Sequence, residues 1–386
     1  MDSKKKLPAR PTPAKPRSAR LSDPAKVRRP QPFYIVGMGG SAGGLEAFGQ
    51  FFSHMPANSG IAFVLVPHLD PTHKGMMPDI LTRSTRMPVV EASEGVIVRP
   101  NRIYIIPPNK DMQITHGRLQ LADFTAPRGV RSPIDYFLQH LAEDQEERVI
   151  AIIMSGMGSD GTLGVKAVKE HLGIAMAQDP STAKYDSMPK SAVSTGLVDY
   201  VAPAEELPGR LLAYVAHASK ARREVPESDQ SVNHGLLKVL ALLRQHTDHD
   251  LSLYKKSTIQ RRIERRMQLH QISSVGKYAQ FLKENAHEIE LLFKELLIGV
   301  TGFFRDPESF EALKDKVLSS LIKNRSGIGL RVWIPGCSTG EEAYTLAIII
   351  RECLEQTKVR PLQSAGFCHR YQQGDGGAGE AWVVRA

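Results

Sequence analysis

Ser41, His68 and Asp160 are the residues whose types and settings could do chemistry together. Ser41 lies in Phe33-Tyr34-Ile35-Val36-Gly37-Met38-Gly39-Gly40-Ser41-Ala42-Gly43-Gly44-Leu45-Glu46-Ala47-Phe48, an apolar run, a glycine-rich turn and then a helical pattern. An elbow of this kind presents a hydroxyl at a strand's carboxyl end, beside the N–H groups of a helix N-terminus. Such a place suits either a phosphate or a nucleophile. His68 follows the apolar run Ile61–Val66, and Asp160 lies in Ser155-Gly156-Met157-Gly158-Ser159-Asp160-Gly161, directly after Val149–Met154. Ligands of open α/β sheets bind outside the carboxyl ends of the strands, so three strand ends would offer Ser, His and Asp to one crevice.

That set suffices for a nucleophile, a base and an orienting carboxylate. His68 would take the proton from Ser41, and Asp160 would hold the imidazole tautomer. Backbone N–H groups near Ala42 and in the Gly156–Gly158 loop would stabilise an oxyanion, an effect worth about 3–4 kcal/mol per donor. Each residue also has a duller reading. Gly37-x-Gly39-x-x-Ala42, with Asp70 as a ribose acid, fits a dinucleotide fingerprint. His68 could be a packed or surface histidine, and Asp160 a turn aspartate. The chain order Ser, His, Asp differs from that of the α/β-hydrolases.

The elements that must position these residues follow from the alternation of short Val/Ile runs with helical patterns over residues 32–215. Tyr34–Val36, Ile61–Val66, Arg102–Ile106, Val149–Met154, Ile174–Ala177 and Leu197–Val201 read as strands of a mainly parallel sheet with helices on both faces. An insert at Val96–Leu121, with turn signals at Pro107-Pro108-Asn109 and His116-Gly117, reads as added antiparallel strands. Residues 217–231 are polar and proline-broken, as a linker would be. From Asn233 to about Leu321 the pattern is helical, with Leu236, Val239, Leu240 and Leu243 on one face and Ile259, Ile263 and Met267 on another. Leu330–Ile334 then reads as a strand entering the glycine turn Gly336–Gly340, with a helix over Ala343–Leu354.

At 386 residues the chain has room for two or three domains with their own cores. Its longest apolar runs are strand-length, too short to cross a bilayer, and residues 1–30 lack the apolar stretch of a secretory signal. A cytoplasmic protein without membrane insertion is expected. Cys337, Cys353 and Cys368 are odd in number and lack CxxC spacing, which points to a reducing compartment without a disulfide framework or metal site. Of the formal charge of +9, residues 1–30 supply +8, from ten Lys/Arg against two Asp. The rest is near neutral, so the charge makes no case for nucleic acid. The basic, proline-rich arm itself reads as extended and solvated.

Several segments resemble the catalytic domain of the bacterial chemotaxis methylesterases (CheB). They are Gly39-Gly40-Ser41-Ala42-Gly43-Gly44, Val66-Pro67-His68-Leu69, Ser155–Gly161, Ala177-Gln178-Asp179-Pro180 and Met188–Asp199, together spanning about Phe33 to Val215. The resemblance implies a doubly wound, Rossmann-like α/β domain with Ser41, His68 and Asp160 as catalytic triad. It also implies an oxyanion hole that includes the Ala42 and Met157 N–H groups. It implies hydrolysis of glutamyl γ-methyl esters on chemoreceptor helices with release of methanol, deamidation of glutamine in some members, and no cofactor. Such esterases commonly carry an N-terminal phosphoacceptor domain within a phosphorelay. Only 32 residues precede the first strand here, so the resemblance implies an esterase without that brake.

The second half resembles the chemotaxis receptor methyltransferases (CheR). Tyr254–Met267, rich in Lys and Arg, is similar to that family's basic N-terminal helix. Gly299-Val300-Thr301-Gly302-Phe303-Phe304-Arg305-Asp306-Pro307 and Val332–Glu342 resemble its S-adenosylmethionine-binding motifs. By position Thr301, Arg305 and Glu342 match cofactor contacts, while Gly299 departs from the asparagine usual there. The basic helix would either meet acidic receptor helices or form a solvated face.

Past Leu362 the patterning is lost. Codons allowed for Phe367–Gln372, read one base later, can spell Phe-Ala-Thr-Asp-Ile, the motif this family would show. Residues 363–386 are therefore expected to be out-of-frame peptide. The expected organisation is a basic arm (1–31), a methylesterase domain (32–216), a linker (217–231), a helical methyltransferase domain (232–321), a truncated cofactor-binding domain (322–362) and the tail (363–386). The truncated half should neither bind cofactor well nor transfer methyl groups. The rival readings are a non-catalytic receptor-docking module and a nucleotide-binding domain built on the glycine elbow.

Overall fold

The computed structural model describes residues 33–68, 76–123, 132–221, 229–298, 302–323, 331–335, 337, 340–357, 365–369 and 381–385. Its first part is a sheet of strands β1 (Ile35–Gly40), β2 (Ala62–Pro67), β3 (Val89–Glu91), β4 (Arg102–Ile105), β7 (Val149–Ile153), β8 (Ile174–Gln178) and β9 (Tyr200–Ala202). β5 (Lys110–Thr115) and β6 (Arg118–Asp123) stand apart as an antiparallel hairpin. The seven sheet strands run in the order β3-β4-β2-β1-β7-β8-β9, and every pairing between them is parallel. β1, β2, β7 and β8 are buried along their whole length, which explains why they read as continuous apolar runs rather than alternating ones.

Helices cover both faces. On one, α1 (Gly44–Ser53), α2 (Met76–Thr82) and α6 (Leu207–Ala221) pack over Val36, Met38, Phe63 and Leu65; on the other, α3 (Pro133–Gln145), α4 (Thr162–Glu170) and α5 (Ser187–Ser194) pack over Ile35, Val64 and Val66. Phe51, Phe52 and Phe63 meet edge to face, with centroids 5.1–5.9 Å apart. His116 and Gly117, both at positive φ, make the tight turn of the β5–β6 hairpin, as their sequence signals.

Two local expectations are corrected. β3 is only three residues long and carries no run by which to find it. The linker is also shorter than its polarity suggests, because α6 continues to Ala221 and α7 (Asp229–Thr247) begins at Asp229. Ala218 is buried in the sheet's apolar cluster, and that contact holds the helix through the polar stretch.

α7, α8 (Lys256–Leu269), α9 (Val275–Glu284) and α10 (Ala286–Leu296) form an all-helical domain. Leu236, Val239, Leu243, Ile259, Ile263 and Met267 meet in its core, from the two faces that their spacing marks. Beyond it come α11 (Pro307–Leu313), a π-helical turn at Lys314–Leu318, and α12 (Ser319–Lys323). A small sheet follows, of β10 (Arg331–Pro335), β11 (Ala365–His369) and β12 (Ala381–Arg385), with α13 (Glu341–Thr357) between its first two strands. β10 and β11 pair in parallel and β11 and β12 antiparallel, so strands form in a tail without periodicity. Cys337 is disulfide-bonded, against the expectation of no disulfide framework.

Candidate active site

The site is built on three neighbouring strands. β1 lies between β2 and β7, with Gly40 paired to Pro67 and Gly39 to Ile153. Ser41 and His68 therefore leave the sheet at the same level, on adjacent strands, and the His68 N–H donates to Gly40 O at 3.0 Å. Asp160 reaches the same end from the loop after β7. His68 Nε2 and Asp160 Oδ2 are 2.7 Å apart. With Nε2–H donated to Asp160, Nδ1 is left as the ring's acceptor. The ring is partly exposed and the carboxylate buried. Among the described residues the Ser41 hydroxyl makes no hydrogen bond to the imidazole, so the structure joins His68 to Asp160 and brings Ser41 alongside through strand register.

Asp160 is held by backbone. Ile134 N donates to its Oδ2 at 3.0 Å, and Asp135 N and Gly161 N donate to Oδ1 at 2.9 Å each. α3 opens with Ser132-Pro133, and Ser132 makes no side-chain cap. The carboxylate of Asp160, arriving from across the sheet, takes the first free N–H groups of that helix instead. Asp135 returns the arrangement by accepting from Gly164 N of α4 at 2.7 Å. Burial, with the Asp160 carboxylate next to it, pushes the Asp135 carboxyl up to about 6.

The elbow is held by residues to which the sequence assigns no role. Ser155, buried at the end of β7, accepts the Ser41 N–H on its carbonyl at 3.0 Å. Its hydroxyl lies 3.0 Å from Ala42 O and accepts from Tyr185 N at 3.0 Å, and its own N–H donates to Gln178 Oε1 at 2.9 Å. Gln178, a polar residue closing an otherwise apolar strand, is the one signal that could have revealed this clamp. Gly43 turns the chain at φ 74°. A Cβ on Gly156 would meet Met188 Sδ, and would lie 2.9 Å from Ser41 Cβ and 3.0 Å from Ser41 N. The Gly156–Gly158 loop thus passes directly against the serine, with Met157 60% exposed at its tip. A cavity of about 530 Å³ opens beside the elbow, lined by Gly43, Leu45, Glu46, Ile80, Ser84 and Lys184 among others.

The dinucleotide fingerprint does not fit this geometry. Gly37 and Gly39 lie inside β1 rather than in the turn, packed under Leu138 and Ile134 of α3. Asp70 lies outside the described residues.

The family model described as CheB methylesterase matches residues 36–211. A relative from Leptospira interrogans, provisionally named protein-glutamate methylesterase/protein-glutamine glutaminase, is 32% identical over 181 residues. Those residues are 45% of this chain and 91% of the relative. The chain belongs to the CheB methylesterase family.

Behind the CheB domain come matches to the CheR methyltransferase all-alpha domain at 234–297 and to the CheR methyltransferase SAM-binding domain at 299–363. A 104.1 kDa Rhodobacter capsulatus protein is 35% identical over 302 residues, 72% of this chain and 32% of that protein. A protein-glutamate methylesterase/protein-glutamine glutaminase of Pyrococcus abyssi is 32% identical over 197 residues, half of this chain and 54% of that protein. The chain thus spans about a third to a half of the length of these two relatives. The crystal structure of the Thermotoga maritima CheB methylesterase catalytic domain is 32% identical, with a TM-score of 0.44, covering 47% of this chain and 98% of that one.

Of the residues expected to contact S-adenosylmethionine, Thr301 lies outside the described residues. Glu342 is exposed in the first turn of α13, after Gly340 at φ 104°. Phe304, the neighbour of the exposed Arg305, donates its N–H to Thr345 Oγ1 at 3.0 Å, which ties the Arg305 turn to the same helix.

The basic helix α8 is divided: Lys256 and Arg261 are exposed, while three of its arginines are turned inward. Arg262, Arg265 and Arg266 are buried, and their partners lie within this chain. Helical periodicity marks which face a residue occupies and does not reveal that a second domain covers it.

Proposed function

We propose that this chain hydrolyses glutamyl γ-methyl esters on the helices of chemoreceptors in the cytoplasm, by covalent catalysis at Ser41. The observation that carries the proposal is the 2.7 Å bond between His68 and Asp160, with His68 one strand away from Ser41 at the same level. Ser41 Oγ attacks the ester carbonyl while His68 Nδ1 takes its proton. Asp160 holds the ring in the Nε2–H tautomer and stabilises the imidazolium. The N–H groups of Ala42 and Met157 receive the oxyanion. The intermediate collapses, and His68 returns the proton to the departing methoxide, so methanol leaves. Water, deprotonated by the same imidazole, then releases glutamate and frees Ser41. A glutamine side chain follows the same steps with ammonia as the leaving group. No cofactor enters these steps.

In the CheR part, Thr301, Arg305 and Glu342 would hold S-adenosylmethionine, which supplies an electrophilic methyl group when bound. We infer that the 386-residue chain does not itself transfer methyl groups. The SAM-binding match stops at residue 363, and we read the following residues as out of frame. Resequencing decides this: a frame running unchanged through residue 386 in independent reads would remove the frameshift reading.

The test of the esterase is methanol release from a peptide carrying a glutamyl γ-methyl ester, for the full chain beside Ser41→Ala and His68→Ala. Both variants are expected to lose at least about a thousandfold, since such residues act as a unit. Equal rates in Ser41→Ala and the parent chain would end the proposal.

A further inference from the structure

The helix that follows Asp160 is completed by the other domain. α4 begins two residues after Asp160 and runs nine residues, about 13 Å at 1.5 Å per residue. Its first turn is tied to α3 by the Gly164–Asp135 bond. At its far end the carbonyl groups are taken by arginines of α8. Arg262 Nη1 donates to Lys169 O at 2.8 Å, and Arg265 Nε to Gly173 O at 2.9 Å and Leu172 O at 3.1 Å. The last carbonyls of a helix have no partner within it, and cationic groups are favoured there.

The side chain of Lys169 enters the same contact. Its Nζ lies 2.6 Å from Asp199 Oδ1 and 2.9 Å from Glu295 Oε1 of α10. Arg265 bridges the same two carboxylates at 2.5 Å each. These four side chains are at most 4% exposed. Arg266 adds a contact to Glu295 at 3.2 Å and a second, paired one to Glu288. Around this core Tyr200 OH donates to Leu269 O at 2.8 Å, and Leu269 itself packs into the apolar cluster of the sheet domain. A dry ionic cluster of this kind holds one geometry, since parting its members strands charges away from water.

We propose that the CheR-type helical domain is a positioning element of the esterase. Arg262, Arg265 and Glu295 hold the C-terminal end of α4, and through that helix they fix the loop that places Asp160 against His68. The inference rests on the catalytic reading of Ser41, His68 and Asp160. A displacement of about 1 Å at a catalytic group can cost on the order of a hundredfold in rate, so a helix fixed at both ends matters to the chemistry. The same contact takes Arg262, Arg265 and Arg266 out of reach of an acidic partner helix.

The test uses the full chain and the glutamyl γ-methyl ester peptide. Arg262→Ala removes one donor to α4 and leaves no buried carboxylate without a cation. It is expected to lower kcat by about tenfold or more with KM unchanged, and Arg262→Lys is expected to restore part of the loss. Glu295→Gln is expected to lower kcat further. Leu292→Ala, in the core of the helical domain, should lower the melting temperature without changing kcat. Wild-type kcat in both Arg262→Ala and Glu295→Gln overturns the proposal, and so does an equal kcat loss in Leu292→Ala. Hydrogen exchange of the α4 amides gives a readout that does not need activity. Faster exchange in Arg262→Ala supports the proposal, and unchanged exchange overturns it even if the parent chain proves inactive on the ester.

Discussion

Asp160 and Asp135 each satisfy the start of a helix that begins beside the other. Asp160 Oδ1 accepts from Asp135 N at the start of α3, and Asp135 Oδ1 accepts from Gly164 N at the start of α4. Two helix N-termini, with their partial positive charge, thus face two carboxylates in a buried space. Asp160 also meets His68 Nε2 at 2.7 Å, while Asp135 is buried.

The first prediction concerns the Asp160–His68 bond. Asp160→Asn keeps the size of the side chain but offers an amide where Nε2–H now donates, which favours the wrong imidazole tautomer. A loss of about 10³–10⁴ in kcat is expected, in line with the equivalent change in a serine protease. Steady-state methanol release measures it, and a loss under tenfold would place the orienting role elsewhere.

Asp135 gives a stability prediction with a definite sign. Its carboxyl titrates near 6 in the folded chain, above the usual 3.8. The folded state therefore binds this proton more tightly than the unfolded one, and stability falls as pH rises from about 4 to about 6. Asp135→Asn, which can still accept from Gly164 N, should be more stable than the parent above pH 6, by up to about 3 kcal/mol at 1.36 kcal/mol per pH unit. The gain should vanish near pH 4. Urea unfolding at several pH values reads it directly.

The domain contact should respond to acid in the opposite sense. Arg266 and His270 hold the Glu288 carboxyl down near 2 against the cost of burial, and Arg265 and Lys169 hold Glu295 well below the usual range. Depressed carboxylates stabilise above about pH 4.5, and that stability is lost as pH falls towards 2. The ionic cluster between α4, α8 and α10 should loosen in this window, seen as faster hydrogen exchange of the α4 and α8 amides.

Gly156→Ala tests the close approach at the elbow. The added methyl would sit 2.9 Å from Ser41 Cβ and 3.0 Å from Ser41 N, so either the loop or the serine must move. Overpacking of this kind costs about 1–3 kcal/mol, and a loss of activity larger than the loss of folded protein is expected.

Much of this site is legible in the residues themselves. Ser41, His68 and Asp160 each follow a strand that reads as an unbroken apolar run, because a parallel strand buried on both faces shows its ends clearly. Ser155 and Gln178 are harder to see. Their partners, Ala42 O and Tyr185 N, are backbone groups brought near only by folding. The arginines of α8 mislead outright. A run such as Gln260-Arg261-Arg262-Ile263-Glu264-Arg265-Arg266 reads as a charged surface, since burying three guanidinium groups is unfavourable unless carboxylates and carbonyls wait for them. Those partners, Lys169 O, Gly173 O, Asp199 and Glu295, lie about 30 to 90 residues away in the chain.

By itself the sequence determined the central strands of the sheet and the glycine elbow, and it marked three candidate site residues, because apolar period and glycine clusters act locally. Tertiary structure alone decided that α3 would be capped by Asp160, that Ser155 would clamp the elbow, and that a basic helix would close the far end of α4. The reason is the same in each case. A hydrogen bond or ion pair needs a partner at a particular place, and only the folded chain supplies that place.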